Sequence, residues 1–414
     1  MKNNMMTNFD IKNLNNSTNL LEAVIKDGAR KMLQAAIENE VIEFIENNKN
    51  MTNEKGHRSI VRNGHLPQRN IQTGIGDISI KQPRIRDKTK NSKFTSAILP
   101  KYMKKCPSLE NLIPLLYLKG VSTNNFQEAL ESILGKNAKG LSPTNIVRLK
   151  SDWEIEFKDW SKRDMTDKHY IYLWADGIYF NVRLGSDRPC LLVIVGVTPE
   201  GKKELVAIHD GQRESKLSWK EVLQDLKIRG LDKAPLLAIG DGALGFWRAL
   251  EEEFPETQHQ RCWVHKTANI LDKMPKSIQG NAKKLIHEMY LSPSKKEALK
   301  VYQSFLNLYS EKYEKACLCL SKDKDVLFSF YDFPAMHWLH IRTTNAIEST
   351  FSTVRHRTRQ TKGCGSRIAT LSLVYKLAIT AQKRWMKIKG YKLLEKVIKG
   401  TKYIDGIEVT ENVA

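Results

Sequence analysis

Several features are missing from this sequence, and each absence narrows the reading. No run approaches the ~20 consecutive apolar residues that a bilayer-spanning helix needs, so no membrane partner is expected. The first twenty residues are polar and rich in asparagine, with no apolar core ahead of a small-residue cleavage site. They predict no secretory signal and a cytoplasmic, nucleoid-associated protein. Six cysteines (106, 190, 262, 317, 319 and 364) are scattered rather than ordered as a disulfide framework, which suits a reduced compartment. There is no internal repeat.

Negative charge is in short supply. The 67 Lys and Arg residues against 46 Asp and Glu leave a net charge of +21 on 414 residues. A basic excess of this size favours a polyanionic partner, and nucleic acid is the commonest. A basic protein from a Lys-rich proteome would show the same balance, so charge sets the partner class and not the reaction. Hydrophobic residues make up 41%, enough for buried cores, and the length suggests two to four domains.

Between Leu21 and about Asn48, apolar residues recur at helical spacing, from Val24 and Ile25 through Met32, Leu33 and Ile37 to Val41 and Ile45. This predicts a long amphipathic helix or a helical pair, its stripe serving either dimerisation or packing within the chain. Residues 56–100, punctuated by Gly56, Gly64, Gly74 and Gly76, read as short strands with basic side chains. Residues 108–160 return to helix in three pieces broken by Gly120 and Gly140, the third opened by Ser142-Pro143. Three such helices resemble a helix-turn-helix module; plain packing gives the same pattern.

At His169 the pattern turns to strands. Tyr170–Ala175 is nearly all apolar and is expected to end at Asp176; Leu191–Val197 and Glu204–Ile208 follow. A helix over about 216–227 then leads to the buried run Leu236–Ile239, and another helix follows Gly245. Three hairpin-connected strands, a helix, a parallel strand and a helix give the order of a ribonuclease H-like α/β core. Residues 273–334 are helical and Lys-rich, and a last helical stretch covers about 345–399.

Two aspartates stand where this core would place a site. Asp176 follows the first strand and Asp241 the fourth, and ligands collect at the carboxyl ends of strands in open α/β sheets. Close carboxylates repel, and divalent cations remove that penalty. Oxygen ligands select Mg²⁺ or Mn²⁺, and two such ions suit in-line displacement at a phosphodiester. Glu348 is the candidate third ligand. Taken singly, each Asp-Gly pair reads as a turn, and Asn345 to Glu348 has capping-box spacing. Glu348, Ser352, Arg355 and Arg359 fall on one helix face, with Arg357, Lys362 and Arg367 nearby. A carboxylate running into a guanidinium stripe suits a helix that binds metal and then clamps phosphates; a solvated basic face has the same pattern.

The segments Trp174-Ala-Asp-Gly-Ile-Tyr179, Ile239-Gly-Asp-Gly-Ala-Leu-Gly-Phe-Trp247, Gln260-Arg-Cys-Trp-Val-His-Lys266 and Arg342-Thr-Thr-Asn-Ala-Ile-Glu-Ser349 together resemble the Mutator-type transposase family, in its bacterial insertion-sequence branch. The resemblance runs in order over about residues 20–395. It implies a DDE transposase with Asp176, Asp241 and Glu348 at the metal-binding positions and an all-helical insertion between the fifth strand and the last catalytic helix. Cys262 and His265 match the family's Cys-x-x-His element. Half a zinc site would look the same, but no second pair stands at useful spacing, since Cys317 and Cys319 are poor partners.

The expectation is therefore an N-terminal helical region (1–55), a DNA-binding region (56–165), a core in two parts (166–272 and 335–400) around a helical insertion (273–334), and a tail (401–414). The expected activity is metal-dependent cutting and joining of double-stranded DNA at terminal inverted repeats and a target, by at least a homodimer. His265, Arg342, Asn345, Arg355, Arg357, Arg359 and Lys362 are the candidate DNA contacts. A non-catalytic DNA-binding regulator, a nuclease or resolvase that cuts without joining, and a zinc-dependent binding module are the competing readings.

Overall fold

The apolar positions of the first helical stretch close into one element, α1 (Leu20–Asn47), not a pair. The structure is a computed structural model and describes residues 20–52, 56–88, 94–106, 143–179, 190–211, 213–348, 351–352, 354 and 366–409. Its contacts separate two units, 1–146 and 147–414.

In the first unit, two short antiparallel pairs accompany α1: β1 (Ile60–His65) with β4 (Pro83–Asp87), and β2 (Arg69–Thr73) with β3 (Gly76–Ile80). Ile37 of α1 is buried with Ile71, Ile78, Ile80 and Leu99, so part of the apolar stripe serves packing within the unit. Leu21, Met32 and Ile42 remain exposed. Polar contacts fix the helix as well: the Gln34 amide donates to Lys81 O and accepts from Lys81 N, and Glu40 accepts from Ala97 N. Of the three helices expected over 108–160, the first two lie outside the described residues. The third is α2 (Pro143–Ser161).

The second unit is organised by a five-stranded sheet. β5 (Tyr172–Tyr179), β6 (Cys190–Val197) and β7 (Lys203–Gly211) form an antiparallel meander. α3 (Lys216–Ile228) then leads to β8 (Leu237–Gly240), and α4 (Leu244–Glu253) to β9 (Gln258–Arg261). The strand order is β7-β6-β5-β8-β9, with β8 parallel to both β5 and β9. That order and those directions are those of a ribonuclease H-like core. One expectation is corrected: β5 does not stop at Asp176. Its ladder with β6 continues through Asp176↔Val193 to Tyr179↔Cys190, because β6 offers partners along all eight residues.

Alternation along the strands builds two buried faces. On one, Leu173, Ala175, Leu192 and Ile194 meet Trp219, Leu223 and Leu226 of α3 and Phe246 and Leu250 of α4. The other receives residues from the end of the chain: Tyr172 Oη lies 2.8 Å from His337 Nδ1, and Trp174 Nε1 donates to both His340 O and Thr343 O at 3.1 Å.

Between these parts, residues 273–334 contain helix and turn and no strand. α5 (Trp263–Leu271), α6 (Lys276–Leu291), α7 (Lys295–Tyr309), α8 (Glu314–Ser321) and α9 (Lys324–Leu327) succeed one another. Gln260 ties the sheet to them, donating to Leu327 O and accepting from Phe330 N. α10 (Trp338–Ile341) precedes a bend, and helix resumes at 345–348. α11 (Arg367–Gln382) closes the unit, its Tyr375 ring against Phe157 and Trp160 of α2. The last expected helical stretch is broken: turn and irregular backbone occupy 383–390 before α12 (Leu394–Ile398). Residues 401–409 form a small hairpin, β10 (Tyr403–Ile404) with β11 (Ile407–Glu408), and Gly406 O accepts from Ala335 N.

Candidate active site

β5 and β8 run parallel with Ala175 opposite Gly240, so Asp176, still within β5, and Asp241, the first residue after β8, stand at the same level. Asp176 is 8% exposed, and burial first, then the Asp241 charge, pushes its carboxyl up to about 6. Asp241 begins the turn after β8. Its Oδ1 accepts from Ala243 N at 2.9 Å, while Trp247 Nε1 holds its backbone carbonyl at 3.0 Å.

Glu348 reaches this place from the opposite end of the unit. Asn345 is already helical, so the capping box from Asn345 to Glu348 is not the arrangement found; Thr344 precedes the helix, and its carbonyl accepts from Ile347 N and Glu348 N. The Thr344 hydroxyl lies 3.3 Å from each of Cys262 Sγ, His265 Nδ1 and Glu348 Oε1. His265 Nε2 is 3.7 Å from Glu348 Oε1. Glu348 and His265 both act electrostatically on Asp176, the first raising its carboxyl and the second lowering it. Asp176, Asp241, Glu348 and His265 are thus electrostatically coupled within one candidate site.

Cys262 and His265 stand one turn apart at the start of α5. Cys262 is fully buried and accepts from Thr344 N. His265 is pushed up to about 9, chiefly by hydrogen bonding to Cys262 against the opposing effect of burial. The Asp176 and Asp241 charges act in the same upward direction. The donor atoms of Cys262, His265 and Glu348 all lie within 4.8 Å of one another.

A fourth carboxylate belongs here. Glu214 lies between β7 and α3, and burial, followed by the Asp241 and Asp176 charges, raises it to about 7. Two glycines admit it: a Cβ on Gly177 would collide with the Glu214 side chain, and one on Gly245 with the Glu214 carbonyl and the backbone after it. Sequence reading misses Glu214 because nothing local sets it apart from any acid before a helix. It also misses Thr344, whose one signal is its position four residues before Glu348.

The other expected site residues are placed differently. Arg342 is engaged within the protein, donating from Nη1 to Tyr290 O at 2.9 Å with its guanidinium over the Tyr290 ring. Asn345 is exposed. Arg355, Arg357, Arg359 and Lys362 lie outside the described residues.

Among solved structures, the chain is similar to the Drosophila P element transposase strand transfer complex (12% identity, 75% of this chain and 87% of that one, TM-score 0.29). It is also similar to the HTLV-2 integrase catalytic core domain in complex with magnesium (15% identity, 45% and 99%, TM-score 0.17). The strand order, not these low scores, carries the fold assignment. In sequence, the chain is 52% identical over 282 residues to the transposase for insertion sequence element IST2 of Acidithiobacillus ferrooxidans, covering 68% of this chain and 95% of that protein. It is 48% identical over 298 residues to the transposase for IS6120 of Mycolicibacterium smegmatis, covering 72% and 92%. Residues 2–388 match the family described as Transposase, Mutator family. With nearly the whole length matched and the four motif segments in order, the chain belongs to the Mutator family of transposases.

Proposed function

We propose that this transposase binds the terminal repeats of its element as a homodimer, hydrolyses phosphodiesters at the ends and joins the freed 3′-hydroxyls to a target, with Asp176, Asp241 and Glu348 as the catalytic carboxylates. The observation that carries this reading is the parallel register of β5 and β8, which sets Asp176 beside Asp241.

The residues suit divalent ions. Among the described residues no Lys or Arg forms an ion pair with Asp176, Asp241 or Glu214, and close carboxylates, Asp176 among them buried, repel without such counter-charges. An oxygen donor set favours Mg²⁺ or Mn²⁺, held by Asp176, Asp241 and Glu348. When bound, a pair of such ions activates a water or 3′-hydroxyl and stabilises the leaving oxygen. The protein's own part is positional. Asp176 is fixed within a strand, and Asp241 is held by Ala243 N. Thr344 orients Glu348 against His265, which is protonated at neutral pH and offsets part of the carboxylate charge facing a phosphate.

Mobilisation of a marked element carrying its native ends tests the reading, comparing wild type with Asp241→Asn and Glu348→Gln. Junctions or insertions from wild type that vanish in both variants are expected. Activity in either variant overturns the triad; cleavage without joining turns the protein into a nuclease.

The Cys262, His265 and Glu348 cluster favours one second reading, a zinc site. It requires zinc to copurify stoichiometrically and to be lost in Cys262→Ser. Absence of zinc from active protein removes it.

A further inference from the structure

Beside the carboxylate centre, on the far side of Gly242, lies a cavity of about 630 Å³ whose walls are basic. Its floor holds two charged side chains that are almost completely buried, Arg261 at 4% exposure and Lys266 at 2%. Both use the same acceptor: Arg261 Nε and Lys266 Nζ approach Asp323 Oδ2 at 3.1 and 2.7 Å. One carboxylate thus serves two buried cations. Arg261 Nη1 is buried without a hydrogen-bond partner, and the guanidinium lies so close over Gly242 that any side chain there would strike it. Exposed Lys273, Lys315 and Lys322 stand at the rim.

An orphaned guanidinium N–H and an uncompensated buried charge are each costly, and an anion in the cavity that Arg261 and Lys266 line would offset both. Arg presents its fork to phosphate oxygens, and Lys adds point charge around them. One wall is aromatic, Trp247 against His259 with ring centroids 4.7 Å apart, which offers a surface for a base. The volume suits one nucleotide. Gly242, which lines the cavity, follows Asp241 directly, so the cavity borders the carboxylate centre.

We infer that this cavity is a nucleotide seat for a DNA strand entering the active site, with a backbone phosphate on Arg261 and Lys266. The inference rests on the reading of the carboxylates as a DNA-processing centre, but the seat needs no divalent ion.

The test is therefore run in EDTA. Binding of a fluorescein-labelled twelve-nucleotide single strand is followed by anisotropy across a salt series, for wild type and for Lys315→Gln/Lys322→Gln, whose exposed rim positions spare the fold. The expected result is a five- to fifty-fold loss of affinity and a salt slope shallower by about 0.7 per lost phosphate contact. Cys319, which lines the same cavity, supplies a local readout. Bound oligonucleotide is expected to slow its alkylation several-fold in wild type, read by mass spectrometry of its peptide, and not in the rim variant. Inorganic pyrophosphate protecting Cys319 while the oligonucleotide does not would make the seat one for a free anion and overturn the DNA assignment. Equal affinity, slope and protection in wild type and variant would overturn the seat alone. If wild type binds no oligonucleotide at low salt, the reading of the carboxylates as a DNA-processing centre falls and takes the seat with it.

Discussion

Glu214 fills the space that a side chain on Gly177 would need, and Gly177 is the residue next to Asp176. A strand and a loop separate in the chain are thereby held in contact beside the proposed catalytic carboxylates. The two glycines that permit this differ in what opposes a methyl group: at Gly177 the movable end of the Glu214 side chain, at Gly245 the backbone of Glu214 to Lys216. Gly245→Ala should destabilise the protein by about 1–3 kcal/mol and Gly177→Ala by less, because only the latter can relax by rotating a side chain. Urea unfolding of both variants decides it; equal cost, or the reverse order, shows that the segment does not sit as described.

Folding makes two acids of the site, Asp176 and Glu214, harder to ionise. Asp176 rises from 3.8 to about 6 and Glu214 from 4.5 to about 7 on folding, so the folded state holds these protons more tightly. Stability from this source is complete below the unfolded values and is lost as pH rises through about 6 and then 7. In metal-free protein, Asp176→Asn should accordingly raise stability at pH 8 by an amount on the order of 3 kcal/mol, seen as a higher melting temperature, and give no gain at pH 4. Scanning calorimetry in EDTA at the two pH values is the check, and a variant less stable than wild type at pH 8 refutes it.

Divalent ions should act on the same balance. Mn²⁺ is expected to raise the melting temperature of wild type at pH 8 and to do so far less for Asp176→Asn or Glu348→Gln, since a ligand of the folded state stabilises by mass action. Identical shifts in all three proteins would place the binding elsewhere.

Thr344→Val keeps the shape of the side chain and removes the hydroxyl that Cys262, His265 and Glu348 share. The expected cost is about 1 kcal/mol of stability together with a strand transfer slower by up to about a hundredfold, the scale on which misplaced groups slow a reaction. Thr344→Ser should restore the rate. If valine and serine behave alike, the hydroxyl does not orient the site.

Trp174→Phe removes the indole N–H that bridges His340 O and Thr343 O. Two buried carbonyls ahead of Glu348 lose their donor, at a cost of about 1–3 kcal/mol. Hydrogen exchange should quicken over 340–344 and remain unchanged in β6; unchanged exchange at 340–344 would show the bridge to be dispensable.

The order of elements was legible because β5, β6 and β8 are apolar runs and the helices between them carry a 3.6-residue period. The end of β5 was not, since a polar Asp176 and a glycine read as a turn while the ladder to β6 that carries the strand onward lies in residues further along the chain. Asp176, Asp241 and His265 could be found from motif segments, each local in sequence. Glu214 and Arg261 could not: one owes its place to gaps left by Gly177 and Gly245, the other to its approach to Gly242, and neither approach leaves a local pattern. Arg342 carries a contact that its motif did not announce, a hydrogen bond from Nη1 to Tyr290 O.

The two aspartates ride on the sheet, whereas Glu348 arrives after the whole helical segment, and the face of the sheet bearing Tyr172 and Trp174 is covered by that same late stretch. Synthesis fixes a timetable for this arrangement. At ~5–20 residues per second, roughly 5–20 s pass between emergence of Asp241 and of Glu348. Throughout that interval a nascent chain displays both aspartates and an uncovered apolar sheet face, but no complete triad. The late stretch that brings Glu348 beside the aspartates is also the one that buries this face, so on the proposed reading the site and the core are completed by one docking event.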